Sequence, residues 1–461
     1  MNIIIAGAGT VGFGLAQYFS GLNYQVTIIE QDERLCEQIK SKLDIFVVGG
    51  KASSPATLVT AGVSDADMLI AVTPSDETNL LACNFAMQSG VKKRIARIKS
   101  EMYTAASFVD LKALGITNVI EPEWETVKKI LQYVEFPGVL ETANFHSDSI
   151  YLRGYRVSED MPVAGKTLFE IKQLSDMAPI LIVAIIRDER SLPPIGSQRL
   201  LPGDKIVAIM PREAFKTFRA LIDRQAEKPG KIIVSGESLI AIRLAKALKP
   251  LAEKVILIDP DREHGQAAAA ELEGVDVHYG DCTNSDILQE FNIEQTGCFI
   301  AAGRDSEDNI MSCLLAKNSG AGMVIAVRYD DRYAGLFNSL GIDHVINPQD
   351  ITSNMIIEKI QMVPIGTYLK LKSADIEILR LKAGRRSRVA GKSLRQLDKN
   401  FKKSVVVGAI VRGKEVIIPW GDIIIAENDE VIALCRREDT RWVNRLFGKQ
   451  QWDTIESGSE Q

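Results

Sequence analysis

The sequence predicts an α/β protein made of duplicated Rossmann-like, doubly wound parallel sheets, each followed by a small α+β domain. Three observations lead to this class. A glycine-rich loop follows a short apolar strand, strands and helices alternate after it, and the same pattern returns 229 residues later. A repeat at this spacing indicates that a unit of two domains occurs twice in the chain.

The chain starts with a strand and a complete G-x-G-x-x-G motif. Asn2–Ala6 is an apolar run too short for a helix and typical of a buried parallel strand. After it, Gly7 permits a tight turn, Gly9 lets the backbone approach a pyrophosphate, and Gly12 lets the next helix pack closely on the strand. The amides and the dipole at the start of that helix favour an anion.

A carboxylate follows at the position where this fold binds ribose. Gln25–Glu30 predicts a second strand, and Glu30 lies 18 residues after Gly12. An acid there accepts hydrogen bonds from ribose hydroxyls and repels a 2′-phosphate, so the pattern favours NAD(H). The alternative is a glycine-rich turn followed by an ordinary surface acid.

The remainder of the first unit continues the alternation. After Glu30 we expect helices at 32–42, 53–61 and 79–89, and strands at 44–48, 68–72, 94–98 and 118–120. In such a sheet the ligand lies at the carboxyl ends of the strands. Thr73, Pro74 and Arg97 belong to that edge, and Arg97 could pair with a phosphate or form a surface ion pair.

An amphipathic helix is expected over Glu123–Val134, after the sheet is complete. Its apolar residues Trp124, Val127, Leu131 and Val134 follow helical spacing. Such a helix could cross to another domain or subunit, or pack on its own sheet.

A small α+β unit of roughly 85 residues follows, by its count of predicted elements. Its first strand is expected at 150–157 and its last helix at 212–221. Val163–Thr167 resembles part of a Walker phosphate loop, but Asp160 stands where that motif needs a glycine. Gly165 is therefore interpreted as a turn before a helix over 168–174.

The second half of the chain repeats both domains. Lys231–Gly236 matches the opening strand, and Val389–Leu394 matches Val163–Leu168. We expect the following domains: 1–138, Rossmann-like with a linker helix; 139–228, α+β; 229–366, Rossmann-like with a linker helix; 367–450, α+β; and 451–461, a disordered tail.

The second glycine loop has lost two of its glycines. Ser238 and Ala241 replace Gly9 and Gly12, and Glu237 adds negative charge, so close approach of a phosphate is hindered. Asp259 still stands where a ribose-binding acid belongs. The second unit either binds a nucleotide or serves as a retained scaffold.

Composition excludes several classes of function. The net charge of −5 gives no indication of nucleic-acid binding, and no apolar run reaches the 18 residues of a membrane span. The four histidines show no metal-ligand spacing, and the six separated cysteines indicate buried free thiols. We find no catalytic cluster, so we expect no metal site and no enzyme.

The chain resembles a known family through three motifs: Gly7–Gly12; Ala61–Val63 with Ala66–Asp67; and Ala71–Leu81. With the duplicated domain order, they resemble the NAD-binding peripheral subunits of Trk potassium-uptake systems, whose repeats are RCK (regulator of potassium conductance) domains. The resemblance covers residues 1 to about 450. In the first unit it implies nucleotide contacts from Gly7, Ala8, Gly9, Thr10, Val11, Glu30, Thr73, Pro74 and Arg97. In the second unit it implies contacts from Gly236, Glu237, Ser238, Leu239, Ile240, Asp259 and Arg328.

The resemblance further implies a regulatory role. The ligand would be NADH or NAD⁺, with ATP and ADP as further candidates. The chain would be cytoplasmic, peripheral on the cytoplasmic face of the plasma (inner) membrane, and docked on a separate potassium-translocating membrane protein of the Trk type. Nucleotide binding would shift the populations of two arrangements of the regulator.

The resemblance also implies a homo-oligomer, with a tetramer as first choice. The apolar stripe at Trp124–Val134, and a shorter one formed by Ile356, Ile360 and Val363, offer a physical reason for assembly. The alternatives are an NAD-dependent dehydrogenase and a stand-alone nucleotide sensor with a soluble partner.

Overall fold

The structure is a computed structural model with two compact units. One contains residues 1–135 and 227–360, and the other contains 136–226 and 361–461. Thus the two Rossmann-like halves form one unit and the two small domains form the other. The residues described are 1–104, 109–146, 148–188, 190–222, 230–329, 340–360, 367–370, 376–385, 387–398 and 405–447. The predicted boundaries stay predictions, and the predicted tail lies outside the described residues.

The first half of the chain begins with a doubly wound sheet. Its strands are β1 (Asn2–Ala6), β2 (Gln25–Glu30), β3 (Phe46–Gly49), β4 (Met68–Ala71), β5 (Lys93–Arg97) and β6 (Asn118–Ile120). They pair in the order β3-β2-β1-β4-β5-β6, all parallel. The helices are α1 (Thr10–Gly21), α2 (Glu33–Lys42), α3 (Pro55–Thr60), α4 (Asp76–Gln88), α5 (Glu101–Thr104) and α6 (Pro122–Glu135). The predicted fold class is confirmed, and the order reverses between β1 and β4, where such folds bind ligands.

Local chemistry explains where these elements start. The β1 residues Ile3, Ile4 and Ile5 are buried because both faces of the sheet are covered. Ser54 caps α3 with Pro55 at its first position, and the Asp32 side chain accepts N–H groups at the start of α2.

The first small domain is an antiparallel sheet with two helices. Its elements are β7 (Val139–Phe145), β8 (Ile150–Arg156), α7 (Leu168–Leu174), β9 (Leu181–Arg187), β10 (Arg190–Leu192), β11 (Lys205–Pro211) and α8 (Phe215–Ile222). The sheet order is β10-β9-β11-β8-β7. Gly165, with φ +71°, makes the expected turn, and Thr167 and Glu170 form a capping box at the start of α7. The strands β7 and β10 were not predicted.

The second Rossmann-like half repeats the first. Its elements are β12 (Lys231–Ser235), α9 (Leu239–Leu248), β13 (Lys254–Asp259), α10 (Arg262–Glu271), β14 (Asp276–Tyr279), α11 (Ser285–Glu290), β15 (Cys298–Ala301), α12 (Ser306–Asn318), β16 (Met323–Val327), β17 (His344–Ile346) and α13 (Pro348–Ile360). Its parallel sheet has the order β14-β13-β12-β15-β16-β17, the equivalent of the first sheet strand for strand.

The second small domain repeats the first. Its elements are β18 (Thr367–Lys370), β19 (Ile376–Lys382), α14 (Leu394–Asp398), β20 (Val406–Arg412), β21 (Glu415–Ile417), β22 (Glu430–Arg436) and α15 (Thr440–Phe447). Ile150, Leu152 and Ile209 of the first small domain share one buried core with Ile378 and Ile432 of the second. The two antiparallel sheets therefore pack against each other.

The linker helices α6 and α13 are exchanged between the Rossmann-like halves. Val127, Ile130 and Val134 of α6 are buried in the core of the second half, against α9 and the second sheet. In return, Ile356 of α13 is buried in the core of the first half, against α1. Helix α6 therefore crosses to another domain of the same chain.

The exchanged positions of α6 and α13 contradict the explanation that their apolar stripes drive assembly of a homo-oligomer. Because the second half covers Val127 and Val134, they are not a free surface for another subunit, and that interpretation of the stripe is wrong. Trp124 is 36% exposed. Of the shorter stripe, Ile356 is covered by the first half, whereas Val363 and the side chain of Ile360 lie outside the described residues.

Candidate functional site

The glycine loop after β1 has the geometry that a pyrophosphate needs. Gly7 has φ +101°, and a side chain there would meet the Thr73 backbone nitrogen at 3.0 Å. A Cβ at Gly12 would lie 1.9 Å from the Gly7 carbonyl oxygen, so α1 packs on the loop only because residue 12 lacks a side chain. A Cβ at Gly9 would have no atom within 4 Å. The loop is tight on one side and open at Gly9, where a phosphate would approach.

The first turn of α1 presents its amides without a side-chain acceptor. Gly9 is the N-cap and supplies no side chain, whereas Asp32 and Ser75 cap α2 and α4 with theirs. The amides at the start of a helix need an acceptor, and the helix dipole favours an anionic one. The start of α1 is therefore suited to a ligand phosphate.

Glu30 is fixed beside the loop by three backbone amides. One carboxylate oxygen accepts from the Ala8 N–H at 2.8 Å, and the other accepts from the N–H groups of Gln31 at 2.8 Å and Asp32 at 3.0 Å. A carboxylate oxygen can accept more than one hydrogen bond, so capacity for ribose hydroxyls remains. Its charge opposes a 2′-phosphate at the same place.

The side chain of Asn79 joins the ends of β4 and β5. Its amide oxygen accepts from the Thr73 N–H at 3.0 Å, and its nitrogen donates to the carbonyls of Thr73 at 3.1 Å and Arg97 at 2.8 Å. Asn309 makes the same contacts with Gly303 and Val327 in the second half. Sequence reasoning assigned no role to Asn79, although an asparagine stands at the matching place of each repeat.

Arg97 forms an ion pair inside the site. One guanidinium nitrogen lies 3.4 Å from a carboxylate oxygen of Glu123, and the two side chains are 22% and 14% exposed. The structure thus shows an ion pair for Arg97 within the cleft, and its pairing with a phosphate stays a prediction. The acidic partner Glu123 is on the exchanged helix α6 and was not predicted from the sequence.

A cleft of about 1040 Å³ connects these groups. The predicted residues that line it in the first half are Gly7, Gly9, Thr10, Val11, Glu30, Thr73, Pro74 and Arg97. The second half also contributes lining residues, namely Ser238, Leu239, Ile240, Arg304, Tyr329, Pro348, Gln349 and Thr352. The cleft is at the upper end of the usual size of ligand pockets and large enough for a dinucleotide.

Comparison with known proteins relates both repeats to one family. The model of the TrkA-N domain matches residues 3–122 and 232–348, and that of the TrkA-C domain matches 152–223 and 379–448. The Trk system potassium uptake protein TrkA of Azorhizobium caulinodans is 30% identical over 97% of this chain and 98% of its own. The chain belongs to the TrkA family. A TrkA homolog of Archaeoglobus fulgidus is also 30% identical, over 97% of this chain and 100% of its own.

Solved structures show the same fold as this TrkA-family chain. The GsuK RCK domain superposes with a TM-score of 0.61 at 18% identity, covering 97% of this chain and 94% of its own. The GsuK channel bound to NAD gives a TM-score of 0.62 at 18% identity, covering 97% and 78% of the two chains. The expected RCK resemblance is therefore confirmed at the level of fold.

In the second half of this TrkA-family chain, polar side chains of the loop that matches the glycine loop form hydrogen bonds within the protein. The Ser238 hydroxyl donates to the Ala302 carbonyl oxygen, and the Glu237 carboxylate accepts from the Arg304 N–H at 3.1 Å. A Cβ at Gly236 would lie 2.3 Å from the Gly303 nitrogen. The loop thus lies closer to the end of β15 than its counterpart does to β4.

The second acid is also engaged. Asp259 is fully buried and lies 2.6 Å from the Nδ1 atom of His264, and it accepts from the Asp261 N–H at 2.8 Å. Of the residues expected to form the second site, Ser238, Leu239 and Ile240 line the cleft of the first half. The others, Gly236, Glu237, Asp259 and Arg328, are not among the residues that line it.

The described part of this TrkA-family chain contains no helix long and apolar enough to span a lipid bilayer. The six cysteines are buried and free, and burial raises the thiol pKa of Cys282 to about 12. No group of three or more potential metal-ligating side chains was found among the described residues.

Proposed function

We propose that this chain is a non-catalytic regulatory subunit of a potassium uptake system and that it binds NAD(H) in the cleft of its first half. The observation that carries the proposal is one arrangement of three groups. The open position at Gly9, the uncapped start of α1 and the fixed carboxylate of Glu30 all face the same cleft. Pyrophosphate and ribose have the complementary chemistry.

Two findings support the regulatory part. The relatives that match this chain over nearly their full lengths are named Trk system potassium uptake proteins. A channel with the same fold was solved bound to NAD. We propose that the chain docks on a Trk-type potassium-translocating protein at the cytoplasmic face of the plasma (inner) membrane. It would act as a homo-oligomer, with a tetramer as first choice, and ATP and ADP are further candidate ligands.

Within the cleft, the proposed contacts are the first-half residues. The pyrophosphate would be held by Gly9 and by the first residues of α1, Thr10 and Val11, and a ribose would be held by Glu30. Ser238, Leu239 and Ile240 of the second half would form part of the opposite wall. A ligand that touches both halves could favour one arrangement of the halves over another, by no more than its difference in affinity for the two.

Calorimetric titration with NADH, NAD⁺, ATP and ADP tests the proposal. We expect Gly9→Val to abolish NADH binding by filling the open space, and Gly14→Val on the same helix to leave it unchanged, because residue 14 does not line the cleft. Absence of binding to the wild type, or equal binding by Gly9→Val, would contradict the assignment.

Two further assays separate the alternatives. A dehydrogenase would consume NADH when incubated with carbonyl substrates, and we expect no consumption. A stand-alone sensor would not co-purify with a potassium-translocating membrane protein, whereas the proposed subunit would.

A further inference from the structure

Three buried atoms on residues that line the cleft have no hydrogen-bond partner. They are the Nε of Arg97, the Oε2 of Glu123 and the Oε1 of Gln349. Buried polar atoms in proteins are nearly always paired, and an unpaired one favours any ligand that pairs it. These residues therefore hold one unpaired donor and two unpaired acceptors.

The three residues line the same cleft, to which both Rossmann-like halves contribute. Arg97 is the last residue of β5, and Glu123 is the second residue of α6. Gln349 has the same place in α13 that Glu123 has in α6, because each follows the proline that starts its helix. A ligand group bound by all three would be in contact with both exchanged helices.

The charges favour a neutral polar group over a phosphate. Glu123 already lies 3.4 Å from Arg97, so a phosphate brought to this arginine would also meet a carboxylate. Nearby, burial is the main cause that raises the pKa of Tyr329 to about 12, and the charge of Glu123 raises it too. The phenol therefore stays neutral at physiological pH, and Gln349 is uncharged.

We propose that Arg97, Glu123 and Gln349 bind the carboxamide of the nicotinamide ring. A carboxamide has one acceptor oxygen and two N–H donors, which match one unmet donor and two unmet acceptors. The inference rests on the proposed NAD(H) site. The position suits it, because a dinucleotide held by Glu30 at its adenosine end crosses the switch point of the sheet and directs its nicotinamide end toward β4 and β5.

All three atoms are buried from solvent in this arrangement of the side chains. Rotation of the side chains into the cleft would make all three available. The bonds formed would add to affinity because none of these three atoms has a hydrogen bond to lose. In this scheme Arg97 and Glu123 are specificity-determining residues that distinguish a carboxamide from other groups.

The sharpest test compares NAD⁺ with nicotinic acid adenine dinucleotide, which differs only in carrying a carboxylate for the carboxamide. The acid cannot donate to Glu123 and repels it, so we expect wild-type affinity for it to be at least about tenfold lower. Glu123→Gln should reduce that ratio toward one, because a glutamine amide can donate to a carboxylate. The control Glu125→Gln lies on the same helix, pairs with Lys128 and does not line the cleft, so it should keep the wild-type ratio.

Circular dichroism would reveal whether Glu123→Gln folds, and a second variant tests the inference if it does not. Gln349→Met removes one acceptor and should weaken NAD⁺ binding by about tenfold while leaving the affinity for ADP unchanged. Equal wild-type affinity for the two dinucleotides, or an unchanged ratio in Glu123→Gln, would overturn the inference. If the wild type does not bind NADH, or if Gly9→Val does not change its affinity for NADH, the proposed function itself is contradicted.

Discussion

Replacing Gly12 or Gly9 by alanine should separate the packing role of the loop from its binding role. A Cβ at residue 12 would lie 1.9 Å from the Gly7 carbonyl oxygen, whereas a Cβ at residue 9 would meet nothing within 4 Å. Both substitutions add one methyl group within the same glycine motif, Gly7–Gly12. Only the first therefore forces the backbone to move.

The size of the effect follows from the overlap. To restore an ordinary carbon–oxygen contact, α1 and the loop must separate by about 1.5 Å, and overpacking of this kind costs about 1–3 kcal/mol. We expect Gly12→Ala to lower the unfolding midpoint by about 2–10 °C. Gly9→Ala should stay within about 0.5 kcal/mol of the wild type.

The assays are thermal unfolding and calorimetric titration with NADH. Gly12→Ala should lose both stability and affinity, because the displaced loop no longer matches the pyrophosphate. Gly9→Ala should lose affinity alone, because its methyl group enters the space that the phosphate needs. If Gly12→Ala unfolds at the wild-type temperature and binds NADH normally, the close contact does not hold the loop, and the reasoning is refuted.

Three other outcomes are expected. Ile130→Ala and Ile356→Ala should each lower the free energy of unfolding by about 2–5 kcal/mol in urea titrations, since each exchanged helix fills the core of the other half; a change below 1 kcal/mol would contradict that packing. Asp204→Ala should cost about 1–3 kcal/mol, because the buried carboxylate accepts both from the guanidinium of Arg187 and from the Leu201 N–H, and thermal unfolding would reveal it. In membrane preparations, carbonate washing should release the chain, and its retention would contradict the peripheral location.

Local signals predicted the glycine loop and much of the first sheet. The strands over Asn2–Ala6 and Gln25–Glu30 begin and end as predicted, because apolar runs bounded by glycine and acidic residues leave few alternatives. The strand Val139–Phe145 was missed because its pairing with β8 is not visible in its own weakly alternating residues.

Contacts between residues far apart in the sequence could not be predicted from local sequence patterns. The stripe on α6 indicated that the helix must be covered, but its cover is α9, more than one hundred residues later. For the same reason Glu123 and Gln349 were not recognised as cleft residues. Asn79 could have been found, since the repeat places Asn309 at the equivalent position.

The exchange of α6 and α13 has a consequence for any attempt to divide the chain. A fragment that ends after α6 would carry Val127, Ile130 and Val134 without the core that buries them, and its own α1 would lack Ile356. Two copies of that fragment could bury each other's α6 by the same exchange of helices. Because both halves belong to one polypeptide, their pairing does not depend on protein concentration. The two halves can also differ in sequence, so one can lose its loop glycines while the other keeps them.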